Sequence, residues 1–169
     1  MDEATPTDLA PLREPPAAPQ VATHNFRFSE DYDLYPSGAK TKYKNNVMAI
    51  KLLKQIELEK RTATPEEQII LARYVGWGGL ANAFSSTASG WENEYQELKS
   101  LLTDVEYKAA MNSTITAYYT EPDLIRHIYR ALERFGFEGG PDRKILDPGM
   151  GTGNFYSVLP EQFQGSKLF

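Results

Sequence analysis

Three glycines stand at alternate positions in the run Asp147-Pro-Gly-Met-Gly-Thr-Gly-Asn-Phe155. No other stretch limits the fold as much. Glycine at 149, 151 and 153 brings no side chain to pack, so the run is a loop and not an element interior. It follows Arg143-Lys-Ile-Leu-Asp147, which reads as a short apolar strand ending in an acid. After it, Asn154 to Leu159 has room for a helical turn or two before Pro160. A strand, an acid, close glycines and a helix start are what it takes to hold a nucleotide-like ligand. The glycines let the backbone approach, and the first helical N–H groups lack partners. The same run also serves as a plain strand-to-helix turn, and on the residues alone both readings stand. Ser166-Lys-Leu-Phe169 reads as the start of a second strand.

Upstream the pattern is helical. From Asn45 to about Arg61, Ala49, Leu52, Leu53 and Ile56 share a face at spacings of three and four, with Lys44, Lys51 and Lys54 on another stripe. Thr64-Pro-Glu-Glu67 is a helix start, with Thr64 to cap, Pro65 in the first turn and Glu67 to close a capping box; Gly76 is expected to end that helix in a left-handed cap. A loop through Trp77 leads to a third helix from about Trp91 to Leu102, with Tyr95, Leu98 and Leu102 inward. Thr103-Asp-Val-Glu106 opens a fourth, and Thr120-Glu-Pro-Asp123 opens a fifth, with Thr120 as its cap and Gly136 as its stop. Before the helices, Phe26, Phe28, Tyr32 and Tyr35 alternate with acids that would repel phosphate, so they are expected to pack as an extended arm. Residues 1–22, rich in proline, bury too little apolar surface to offset their ordering entropy and read as a disordered tail.

The 169 residues suit one ordinary domain. The absence of cysteine excludes disulfides and thiolate metal sites. Apolar runs are only a few residues long and the N-terminus is acidic, so neither a membrane span nor a secretory signal is expected, which points to the cytoplasm. A net charge of −5 argues against general nucleic-acid coating. Locally the balance reverses: residues 40–61 carry seven cations against Glu57 and Glu59, so Lys42, Lys44, Lys51 and Lys54 are candidate DNA contacts, with a solvated helix face as the plain alternative. His24 and His127 form no metal or catalytic pair, and neither a catalytic residue nor a metal site is expected.

The glycine run resembles motif I of S-adenosylmethionine-dependent DNA adenine methyltransferases, and Thr116-Ala-Tyr-Tyr-Thr-Glu-Pro122 looks like their motif X. More narrowly, residues 26–169 are similar to the front of the large methyltransferase–helicase fusion proteins of phages and conjugative elements. The resemblance implies that Asp147, Gly149, Gly151 and Gly153 line the methionine part of the cofactor, with Asn154 and Phe155 following on the helix start and Tyr118, Tyr119, Thr120 and Pro122 walling the same pocket. It also implies a Rossmann-like fold of which only the beginning is expected here.

Other parts that such an enzyme needs are not in the sequence. No acid follows Glu161 to bind the ribose hydroxyls, and the only Pro-Pro pair is Pro15-Pro16, behind Glu14, not in an Asn/Asp-Pro-Pro-aromatic loop. The expectation is a mainly α protein with a helical domain over 23–140 and a small β element over 141–169. It is expected to be inactive alone and to act through DNA or protein binding, with S-adenosylmethionine binding weak or absent. Two alternatives stand beside this one. The chain could be an anti-defence inhibitor, anti-CRISPR or antirestriction in type, that binds a host nuclease. It could also be part of an active methyltransferase when joined to the missing half. The C-terminal strand edge offers a route to oligomers.

Overall fold

The computed structural model describes residues 26–35 and 37–169, so the expected tail and His24 lie outside the described residues. The chain is mainly helical: α1 (Ala39–Glu59), α2 (Pro65–Ala72), α3 (Glu92–Leu101), α4 (Asp104–Ser113), α5 (Pro122–Arg134), β1 (Lys144–Ile145), α6 (Asn154–Ser157) and β2 (Lys167–Leu168). Short 3-10 turns at Glu30–Tyr32, Ala81–Phe84 and Glu161–Phe163 complete it. None of these helices is long and apolar enough to cross a membrane.

Both expected capping boxes form. Thr64 Oγ1 accepts from Glu67 N–H while Glu67 accepts from Thr64 N–H, and Thr103 and Glu106 repeat the exchange. Two other helix ends differ from expectation. Gly76 is left-handed, but α2 has already stopped at Ala72 with Arg73 as its cap. Thr120 does not cap α5; Glu121 holds that position and makes no side-chain cap bond.

Two cores form. The first gathers Tyr43 and Val47 of α1, Trp77 and Leu80, Ala83 and Phe84, Trp91, Leu98 of α3 and Tyr107 of α4. Ala49 and Ile56 of the expected stripe are buried, Leu53 on it is exposed, and burial extends back to Tyr43 near the start of α1. Fully buried Asn46 holds this face to the loop after α2: its Nδ2 donates to Gly76 O (2.7 Å) and its Oδ1 accepts from Val75 N–H (2.9 Å).

The second core is smaller: Ile125 and Tyr129 of α5 with Leu159 and Phe163. Helix α5 thus belongs with the C-terminal β element, and the expected boundary near residue 140 falls inside this cluster. Strands β1 and β2 pair in parallel, Lys144 opposite Lys167 and Ile145 opposite Leu168, joined by a crossover that carries α6. The aromatic segment straps this part down, with Phe28 N–H donating to Ser157 O (2.9 Å), Arg27 Nη1 to Tyr156 O (2.9 Å), and the Arg126 guanidinium over the Phe28 ring.

Candidate functional site

The glycine loop leaves β1 through Asp147, whose N–H donates to Phe169 O (3.0 Å) and to the Tyr156 hydroxyl (3.0 Å). One carboxylate oxygen, Oδ1, accepts from Gly149 N–H (3.0 Å) and tightens the turn. The other, Oδ2, is buried and has no hydrogen-bond partner among the described residues. A buried acceptor left unpaired is rare in a folded protein and marks a group that a ligand donor could satisfy.

Helix α6 is a single turn behind Gly153, so its dipole is small and gives little of the pull on anions that a longer helix would supply. Its first residue, Asn154, works as a connector. Asn154 Nδ2 donates to Thr120 O (3.0 Å) and Oδ1 accepts from the Thr152 hydroxyl (3.0 Å). Burial raises the pKa of Tyr35 of the strap, and the neighbouring Asn154 side chain partly offsets the rise.

Tyr119 stands between two glycines from distant parts of the chain. A Cβ on Gly151 (φ +54°) would lie 2.8 Å from its ring, and a Cβ on Gly76 (φ +75°) would lie 2.6 Å from it. Both positions need glycine on two grounds, a backbone conformation hard for other residues and a ring in the space their side chains would fill. The left-handed turn at Gly76, which looks from the sequence like a helix stop, serves this contact.

Tyr118, Tyr119, Thr120, Gly149, Met150, Thr152, Asn154 and Phe155 line one pocket of about 70 Å³. Six of the ten residues expected at a ligand site are therefore walls of a single cavity. Asp147, Gly151 and Gly153 shape the loop behind it, and Pro122 is buried at the start of α5. Met150 and Thr152 were not among the expected residues; their place between the glycines was the signal available. A pocket of this size falls well below the roughly 300–1,000 Å³ of sites that enclose a whole cofactor.

The lysine stripe is divided. Lys51 holds Glu97 (2.7 Å) and Lys54 holds Glu106 (2.9 Å), so acids from α3 and α4 already answer these cations. Lys42 and Lys44 make no ion pair among the described residues, although Lys44 is near enough to Glu94 to help lower its pKa. His127 Nδ1 lies 2.7 Å from Asp123 O, one helical turn back. No cluster of metal-binding side chains occurs among the described residues. No protein-family model, curated protein or solved structure matches the chain.

Proposed function

We propose that this chain is a methyltransferase-derived module that carries the methionine-side half of an S-adenosylmethionine cradle, of the DNA adenine methyltransferase type, and that alone it binds without transferring methyl groups. One observation carries the reading. The glycine run that resembles motif I and the Tyr118–Thr120 segment that resembles motif X converge on one pocket, and Asn154 ties them together through the Thr120 carbonyl. In this reading β1, the loop, α6 and β2 are the beginning of a Rossmann-like sheet. The orphaned Asp147 Oδ2 suits a ligand ammonium, which an ionised carboxylate would bind through a charge-assisted hydrogen bond. The pocket's small volume makes these residues an incomplete holder of the full cofactor. When bound, S-adenosylmethionine would supply the activated methyl group; Tyr118, Tyr119 and Thr120 would wall its amino-acid end while the glycine loop approaches it with bare backbone.

Titration of S-adenosylmethionine into the isotope-labelled chain, followed by NMR and calorimetry, tests this. Weak, unsaturated binding is expected, with amide shifts confined to residues 118–120 and 147–155. Shifts elsewhere only, or none, would remove the cradle. Saturable micromolar binding, or methyl transfer to DNA by the pure chain, would show instead that the module is complete. DNA contact through Lys42 and Lys44 is the accompanying proposal, expected to fade steeply with salt and to weaken in the double Ala variant.

A further inference from the structure

The two-stranded sheet leaves its main-chain valence half used, and the side chains around it describe what would fill the rest. In the ladder, Lys167 N–H donates to Arg143 O (2.9 Å), Phe169 N–H to Ile145 O (2.9 Å) and Asp147 N–H to Phe169 O (3.0 Å). Residues 143, 145 and 147 therefore face β2, and by strand alternation the N–H and C=O groups of Lys144 and Leu146 face the outer edge of β1. No main-chain bond to that edge occurs among the described residues. Beside it, between β1 and the end of α5, lies a groove of about 540 Å³ whose apolar walls include Tyr129, Leu132, Phe137, Ile145 and Phe163. No residue of β2 lines it.

Charge sorts the two faces. Ile145 and Leu168 turn towards the second core. The opposite face shows Lys144 beside Lys167 in register, and Leu146 (70% exposed) and Phe169 (61% exposed) beyond them. Neither lysine makes an ion pair among the described residues; Lys144 Nζ is 5.9 Å from the Phe169 ring centre. Like charges directly opposite in a sheet repel, and this pair lacks the carboxylate that would relieve it. The groove is also lined by Glu138, Asp142, Arg143 and Lys144, two acids and two cations, so an incoming side chain there has no net charge to answer.

From these we infer that the outer edge of β1 is a docking site for an extended segment of a partner protein, which adds as a third strand with acidic and apolar residues at alternate positions. Its backbone pairs with Lys144 and Leu146, its apolar residue enters the groove at Phe137, and its acids lie on the open face beside Lys144. Strand addition of this kind draws affinity from main-chain bonds and specificity from every second side chain. Parallel sheets are normally covered and extended, and a two-stranded one is marginal, so the added strand also stabilises the fold that receives it.

The probe is a synthetic peptide, acetyl-Glu-Val-Glu-Leu-Glu-Val-Glu-amide, added to the full chain. The acidic peptide is expected to bind about tenfold more tightly than its counterpart with Lys at each Glu, and to slow hydrogen exchange at the amides of Lys144 and Leu146. Leu146→Pro removes only an outward N–H, a change that edge strands tolerate, and should abolish binding while circular dichroism stays unchanged. The Lys144→Glu, Lys167→Glu double variant should reverse the peptide preference, which keeps the test decisive if the proline variant fails to fold. Equal affinity for the two peptides, no slowing at the two amides, or no reversal would overturn the proposal. So would self-association that protects the same amides against the peptide, since a second copy would then be the occupant.

Discussion

The two cores of this chain are built from similar residues and finished to different degrees. In the first, Tyr43, Trp77, Phe84, Trp91 and Tyr107 meet edge to face or tilted, and the polar ends of its tyrosines are bonded inside: Tyr43 to Glu94 O and Glu97, Tyr107 to Phe84 O. The phenol of Tyr43 is pushed well above its ordinary pKa, chiefly by burial and then by the adjacent Glu97. In the second, Tyr129 packs on Phe155 and Phe163 and bonds to Phe155 O, yet Leu124, Phe135, Phe137, Leu146 and Phe169 around it face solvent. A core closes when every element that contributes an apolar face has another face to meet. Three helices and the loop from Trp77 to Trp91 meet that condition around the first core. One helix, one turn and two strands of two residues do not meet it in the second.

The sharpest way to break this contrast is to empty one core and then the other. Trp77→Ala removes a side chain that is 2% exposed at the centre of the aromatic chain and should cost about 3–5 kcal/mol, with Trp91 left to report unfolding in urea. Phe163→Ala in the second core should cost less, because the half-covered surroundings can relax into the space. Equal losses would show that the second core is as closed as the first. Next in size is Asn46→Ala, expected to cost about 2–4 kcal/mol by stranding the buried Gly76 carbonyl and the Val75 N–H. Asn46→Asp, which keeps the acceptor but sets a buried carboxylate oxygen against the Gly76 carbonyl, should recover none of that at neutral pH.

A smaller change probes the joint between the regions. Gly151→Ala meets both a left-handed backbone and the Tyr119 ring, and should cost about 1–2 kcal/mol. Its informative readout is the Gly76 amide, across the same ring in the other region. A shift there in NMR spectra is expected; if Gly76 is unmoved, Tyr119 does not couple the two halves.

What could be read along the chain was what neighbours in sequence decide. The Thr64–Glu67 and Thr103–Glu106 boxes are three-residue chemistry, and both stand as expected. The glycine run as a loop after a strand, and the second strand at Lys167, were legible for the same reason. Features set by distant contacts were not. Helix α1 begins six residues earlier than its apolar spacing suggests, at Ala39, because Tyr43 is buried against Trp77 and Trp91. Asn46 looks like a polar surface residue until the loop at Val75 and Gly76 supplies both of its partners. Gly76 reads as a cap and Thr120 as another; a ring and an amide from far along the chain give them other work. Of the candidate site, the residues could be named but not its small size, nor the pairing of Lys51 and Lys54 with acids some fifty positions away.

The mildest perturbation, acid, should separate the regions without a mutation. Glu106 is held down to a pKa of about 2, first by the Thr103 N–H and then by Lys54, and Glu67 to about 2, first by Arg61 and then by the Thr64 N–H. Glu97 is lowered too, chiefly by Lys51. All three brace the helices of the first region. A carboxyl whose folded pKa lies below its unfolded value of about 4.3 favours folding at neutral pH. That contribution is complete above the unfolded value and disappears as pH falls towards 2, when the folded protein must also take up the proton. Fluorescence of Trp77 and Trp91, both in the first core, should therefore report a melting temperature that drops between pH 5 and pH 2. Glu106→Gln cannot take up that proton and should flatten the slope. Because these carboxyls are exposed and their ion pairs screened, the effect should be modest and should shrink in salt. A slope that Glu106→Gln leaves unchanged would mean that the brace between α1 and α4 contributes nothing, and that aromatic packing alone closes the first core.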